Sequence, residues 1–122
     1  MADRIAEVGW SPEVAVVSDA ARTEETWAWM ADRLEGCRMV PVGALYHGTL
    51  DDIVDAVSTH HGGAGTVLAL GHNPGWEEAI EQLSGQLVRM KTATVALLAH
   101  PEPWAQALQR SDWRLEGLLS PP

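Results

Sequence analysis

The chain has 122 residues, enough for one domain and too few for two ordinary ones, and eight Lys and Arg against seventeen Asp and Glu leave a net charge of −9. A nucleic-acid binder needs a basic surface to neutralise phosphates, so the charge argues against that class; a small phosphorylated ligand stays open, because one local cluster of donors overcomes an acidic surround. The composition, 46% hydrophobic and 20% charged, is that of a globular chain.

No apolar run approaches the roughly 18 to 20 residues of a membrane span, and no membrane association is expected. The opening Met-Ala-Asp-Arg-Ile lacks the basic and apolar parts of a secretory signal. One cysteine, Cys37, rules out an internal disulfide framework, argues against a thiolate metal site and fits a reducing cytoplasm, the expected compartment.

Met1, Ile5 and Val8 have helical spacing, yet a helix ending before Gly9 has only about eight residues and no N-cap. It reads as the last two turns of a longer helix, so the chain is expected to start inside an element. Strands are predicted at 14–17, 38–42, 66–70 and 94–99, with a weaker run at 113–119. Between them, three sets of apolar residues follow helical spacing: Trp27/Met30/Ala31/Leu34, Leu50/Ile53/Val54/Val57 and Trp76/Ala79/Ile80/Leu83. Thr49 with Asp52 resembles a capping pair for the second. Asn73 followed by Pro74 starts the third, and Glu77 and Glu78 lie near the positive end of its dipole. Strands alternating with helices predict an α/β three-layer sandwich with a mostly parallel sheet. The stretch 66–70, apolar along almost its whole length, reads as a strand covered on both faces.

Two strings carry the candidate chemistry. In the first, the strand 66–70 ends in Gly71, His72 and Asn73 occupy the turn, and a helix begins at Pro74. Ligands of parallel α/β sheets bind at carboxyl ends of strands, beside helix N-termini, and Gly71 and Gly75 permit a tight turn and close approach. The plainer alternative leaves His72 a loop histidine and Asn73 a cap. In the second string, Ser18 to Thr26 follows the strand 14–17 and places Arg22 in a helix's first turn, where a guanidinium holds a phosphate or carboxylate bidentately. Its alternative is an exposed Arg paired with Asp19 or Glu25. Two such strings at equivalent places on one sheet edge let Arg22 and His72 face one pocket.

Ser18 to Thr26 resembles the S-x-x-x-R-x-x-x-T segment of histidine phosphatases, and Gly71-His-Asn-Pro-Gly75 matches the G-H-N-P-G of their SixA-type phosphohistidine phosphatase branch. Leu45-Tyr46-His47, Met90-Lys-Thr-Ala93 and the closing Trp113, Leu118, Leu119 and Pro121 are similar to further segments of that branch, so the resemblance spans nearly the whole chain. It implies a phosphoglycerate-mutase-like fold and a phosphatase without metal or cofactor, acting on a phosphorylated protein (phosphohistidine) or a small phosphomonoester. In that family a histidine of an R-H-G or R-H-A motif at the end of the first strand attacks the phosphoryl group, and water hydrolyses the intermediate.

This sequence holds no Arg-His pair. By the resemblance, residues 1–122 form one N-terminally incomplete domain that lacks the first strand, its R-H loop and most of the first helix. Two explanations stand: a misplaced start at Met1, or a truncated relative whose strands have closed up. Carried over residue by residue, Arg22 binds phosphoryl oxygens and His72 is the second pocket histidine, stabilising charge during transfer. Asn73 supports His72, Ser18 lines the pocket, and Lys91 or Thr92 reaches its rim. The chain as written is expected to have little or no turnover; the alternative is a non-catalytic phosphate-binding or protein-interaction relative. Elsewhere, His60 and His61 read as a solvated helix end, His47 as structural, His100 as part of a surface turn and Cys37 as inert.

Overall fold

The computed structural model describes residues 2–73, 75–91 and 94–120. Five strands, β1 (Val14–Ser18), β2 (Arg38–Val42), β3 (Val67–Leu70), β4 (Val95–Ala99) and β5 (Arg114–Leu119), alternate with helices. These are α1 (Ala2–Glu7), α2 (Ala21–Ala31), α3 (Leu50–His60), α4 (Gly75–Ser84) and a short α5 (Trp104–Ala107) that the apolar spacing did not announce. The observed strands lie within a residue of those predicted. Thr49 caps α3: its N–H donates to Asp52 Oδ2 at 2.8 Å, a capping box with Asp in the place Glu usually takes.

β1 is the centre of a parallel sheet of order β2-β1-β3, with Val14 opposite both Arg38 and Val67. Paired on both edges and covered on both faces, all five of its residues are buried. Its alternation sorts the core into two layers. Ala15 and Val17 face Ala2 and Ile5 of α1 and Trp27 and Met30 of α2, whereas Val16 packs with Leu45 and with Ala56 and Val57 of α3. Helices on both faces of the sheet make the three-layer arrangement expected from the alternation of elements.

The sheet is not continuous. β4 and β5 form a separate antiparallel pair with a bulge between Leu97 and Leu98, and among the described residues nothing pairs with the outer edges of β3 and β4. A cavity of about 1480 Å³ is lined by the whole of 66–70 on one wall and 94–99 on the other. The expectation that 66–70 is covered on both faces is therefore corrected: β3 is only half-buried throughout. Its composition suits a fully enclosed strand, but its free edge borders the cavity. Leu97 and Leu119 join the cluster formed by α1, α2 and β1, which fastens the antiparallel pair to the rest.

The connection from β4 to β5 is held by His100, whose side chain is only 3% exposed, in contrast to the surface turn expected for it. Its Nε2 lies 2.7 Å from Asp112 Oδ1 and its Nδ1 accepts from the Glu102 N–H at 3.1 Å, so the neutral Nε2–H tautomer satisfies both contacts. The ring also packs against Trp113 at 5.4 Å. His61 at the end of α3 is likewise structural, with Nδ1 accepting from the Gly63 N–H and its ring stacked on Trp104.

The Asp112 carboxyl is held below its ordinary range, first by the His100 hydrogen bond and then by Arg110 beside it. A depressed carboxyl contributes stability that is complete above its unfolded value, about 3.9, and is lost as pH falls through the lower folded value. Asp112→Asn is expected to lose less stability than the unaltered protein on acidification below about pH 4, measured as the shift in urea midpoint.

Candidate functional site

The carboxyl ends of β1 and β3 deliver the two candidate strings to one place. β1 ends in Ser18, which has no solvent exposure, and the chain turns at Asp19 and Ala20 into α2, where Arg22 and Thr23 lie in the first turn. β3 ends at Leu70, and Gly71 and His72 follow at once. His72 Nε2 is 3.1 Å from Ser18 Oγ and 3.0 Å from Thr23 Oγ1, so one ring nitrogen is held by hydroxyls from a strand end and a helix start. Ser18 Oγ also accepts the Ala20 N–H at 3.3 Å. Among the described residues Nδ1 has no hydrogen-bond partner.

The turn that carries His72 depends on glycine at two positions. A Cβ on Gly71 would overlap the indole of Trp76, whose Nε1–H donates to the Ala69 carbonyl at 3.2 Å. A Cβ on Gly75 would overlap the carbonyl oxygen of Gly48, so the 46–48 loop closes directly on the start of α4. That loop is anchored by Leu45, fully buried, and sets the Tyr46 ring 5.6 Å from the His72 ring and 4.4 Å from that of His47. His47 adopts a left-handed backbone, φ 56°, which non-glycine residues enter only where the surroundings enforce it.

Asn73 supports the turn as expected of a cap, its Oδ1 accepting from the Glu77 N–H at 3.2 Å. Its Nδ2 donates to the Met90 carbonyl at 2.5 Å, which draws the 85–91 segment to the same corner. Arg22, Thr23, His72, Asn73, Met90 and Lys91 all line the cavity. The alternative pairing of Arg22 with Asp19 or Glu25 is not made, and among the described residues neither Arg22 nor Lys91 forms an ion pair. Thr92 and Pro74, named in the sequence reading, lie outside the described residues. No group of acidic, His or Cys side chains among the described residues is arranged to hold a metal ion. Cys37 stands apart from the site, and burial raises its thiol above the ordinary value, in keeping with an inert role.

Thr23, which holds the His72 ring, is a site residue that sequence reasoning missed, although a signal was present. It stands four residues before Trp27 and seven before Met30, so it begins the same buried stripe, and a polar residue there needs a buried partner.

A parallel sheet edge with a clamped imidazole, a guanidinium without an ion-pair partner among the described residues and a Gly-bounded helix start is the arrangement of an α/β domain whose polar groups gather at its strand ends. No family model matches the chain. An uncharacterised chloroplastic protein of Arabidopsis thaliana is 33% identical over 99% of this chain; the chain spans 62% of that relative's length. The structure of a candidate phosphohistidine phosphatase SixA from Nakamurella multipartitia superposes with a TM-score of 0.86 at 25% identity, covering 98% of this chain and 77% of that one. A second such SixA candidate, from Agrobacterium tumefaciens, gives a TM-score of 0.77 at 21% identity, covering 98% of this chain and 75% of that one. The chain has the phosphoglycerate-mutase-like fold of the histidine phosphatase superfamily, in its SixA-type form.

Gly75→Ala is expected to destabilise the protein by about 1 to 3 kcal/mol, because the new methyl meets backbone that cannot swing aside. Thr23→Val, which removes one partner of the imidazole at nearly constant volume, is expected to cost about 0.5 to 1.5 kcal/mol and to move the His72 ring resonances. Urea unfolding and imidazole NMR check the two.

Proposed function

We propose that this chain carries the phosphoryl-binding part of a SixA-like phosphohistidine or phosphomonoester phosphatase and, as the 122 residues stand, binds phosphoryl groups without turning them over. The observation that carries the reading is the fixation of His72 Nε2 by Ser18 and Thr23, with Arg22 one residue away on the same helical turn. A guanidinium takes two phosphoryl oxygens at once, and an imidazole whose Nε2 accepts from one of these hydroxyls carries its proton on Nδ1, from which it donates to a third. Asn73 keeps the turn closed, and Lys91 adds positive charge at the rim. Charge on transferring phosphoryl oxygens is stabilised by groups of this kind.

Attack on phosphorus needs a nucleophile, which the family draws from an Arg-His pair that this sequence does not contain. His72 does not replace it: one imidazole cannot both attack the phosphoryl group and stabilise its oxygens, and this one is tied to two hydroxyls. The same features suit the second reading, a non-catalytic relative that binds phosphorylated ligands or proteins. Substrates of either reading are a phosphorylated protein or a small phosphomonoester.

The purified chain is expected to bind inorganic phosphate or vanadate, to weaken at least about tenfold in Arg22→Ala and in His72→Ala, and to leave p-nitrophenyl phosphate intact. Robust turnover that disappears in His72→Ala would overturn the inactive reading. Absence of any phosphate or vanadate binding would overturn the site itself.

A further inference from the structure

The 85–91 segment has no regular structure, yet one of its residues is held unusually firmly. Met90 is gripped at both backbone polar groups by side chains of the α4 start. Its N–H donates to Glu77 Oε2 at 2.5 Å, and its carbonyl accepts from Asn73 Nδ2 at 2.5 Å. The two gripping residues are themselves joined, since the Glu77 N–H donates to Asn73 Oδ1 at 3.2 Å. The ring of contacts closes on Asn73, the neighbour of His72. On the far side, the Lys91 carbonyl accepts from the Thr94 N–H at 3.1 Å, which fixes the chain's entry to β4. The Lys91 backbone is thus tied down on both sides, and the residue lines the same cavity as Arg22 and His72.

Glu77 is open to a plain explanation, an acidic residue in the first turn of a helix interacting with the dipole. That accounts for its charge but not for its reach of thirteen residues along the chain to a backbone N–H. A carboxylate beside an anion site opposes anion binding by Coulomb repulsion, so its presence at this corner calls for a compensating task. We propose that Glu77 is a positioning residue: with Asn73 it clamps the Met90 backbone and thereby sets the point from which Lys91 reaches into the cavity as a second cation, in addition to Arg22, for the phosphoryl group. The inference rests on the phosphoryl-binding reading above and adds to it the device that sets its second positive charge.

The test is inorganic phosphate affinity, measured by calorimetry on the full chain, together with hydrogen exchange at the Met90 amide. Glu77→Ala is expected to accelerate that exchange and to weaken phosphate binding about three- to tenfold. Glu77→Gln retains an acceptor for the Met90 N–H and removes the repelling charge, so it is expected to bind phosphate at least as well as the unaltered protein. Lys91→Ala is expected to weaken binding comparably, and adding Glu77→Ala to it to produce almost no further loss, because both act through the same ammonium. Unchanged affinity in Glu77→Ala, a Gln variant as weak as the Ala variant, or losses that simply add would each overturn the proposal. If the unaltered chain binds no phosphate, the phosphoryl-binding reading fails first and the role of Glu77 with it.

Discussion

A hydroxyl shut away from water must find a hydrogen bond, and Ser18 finds one on the imidazole of His72. That demand originates in the strand that carries it. β1 is paired on both edges and covered on both faces, so its last residue has no route to solvent. An unpaired hydroxyl there would cost on the order of 1 to 3 kcal/mol, enough to decide which way a flexible turn settles. Thr23 faces the same demand from the buried stripe of α2. Two buried hydroxyls from adjacent elements therefore hold one ring, and the site's geometry follows from the packing of the core instead of from the turn alone. Gly71 and Gly75 complete the arrangement by letting the indole of Trp76 and the backbone of Gly48 come close.

The opposite side of β3 obeys a different rule. There the strand's polar groups meet a large cavity and not another strand, and the same holds for β4 across the gap. At about 1480 Å³ the space exceeds the 300 to 1,000 Å³ typical of a small-molecule pocket, and its walls are largely backbone edges and aliphatic side chains. What holds the two sheets together is the layer of α1 and α2 on one face, through Ile5, Trp27, Leu97 and Leu119. The corner that holds His72 lies at the carboxyl end of this gap, where its support comes from β1, α2 and α4, not from β4.

The periodic elements were legible because each reports its own environment. Alternation and helical stripes placed five strands and three long helices, and the Asn73 and Thr49 caps marked two helix starts. The shared place of Ser18, Arg22 and His72 was also legible, since strand ends in a parallel sheet lie on one edge. The break between β3 and β4 was not, because strand pairing depends on residues distant in sequence and leaves no local mark; 66–70 has the same composition whether its outer edge is paired or free. His100 misled for a similar reason. A His-Pro pair suggests an exposed turn, and only the approach of Asp112 and Trp113 encloses the ring. The Met90 clamp was invisible because the 85–91 segment has no periodicity.

The charge of the chain gives the corner its character. A net charge of −9 repels a phosphoryl dianion, so the proposed capture cannot depend on a long-range field. It has to depend on donors at contact distance, which act within a few ångströms and are little affected by charges beyond the Debye length of about 8 to 10 Å. Such donors are effective only if held in place before the anion arrives, since a mobile lysine or arginine gives up much of its gain to ordering. The double grip on His72 is a restraint of this kind, and the ring around Met90 restrains the backbone that leads into Lys91. An acidic protein with its donors gathered at one corner discriminates by local geometry, and the proposed compact phosphoryl group suits such a corner better than an extended polyanion, which would meet the acidic surface on every side.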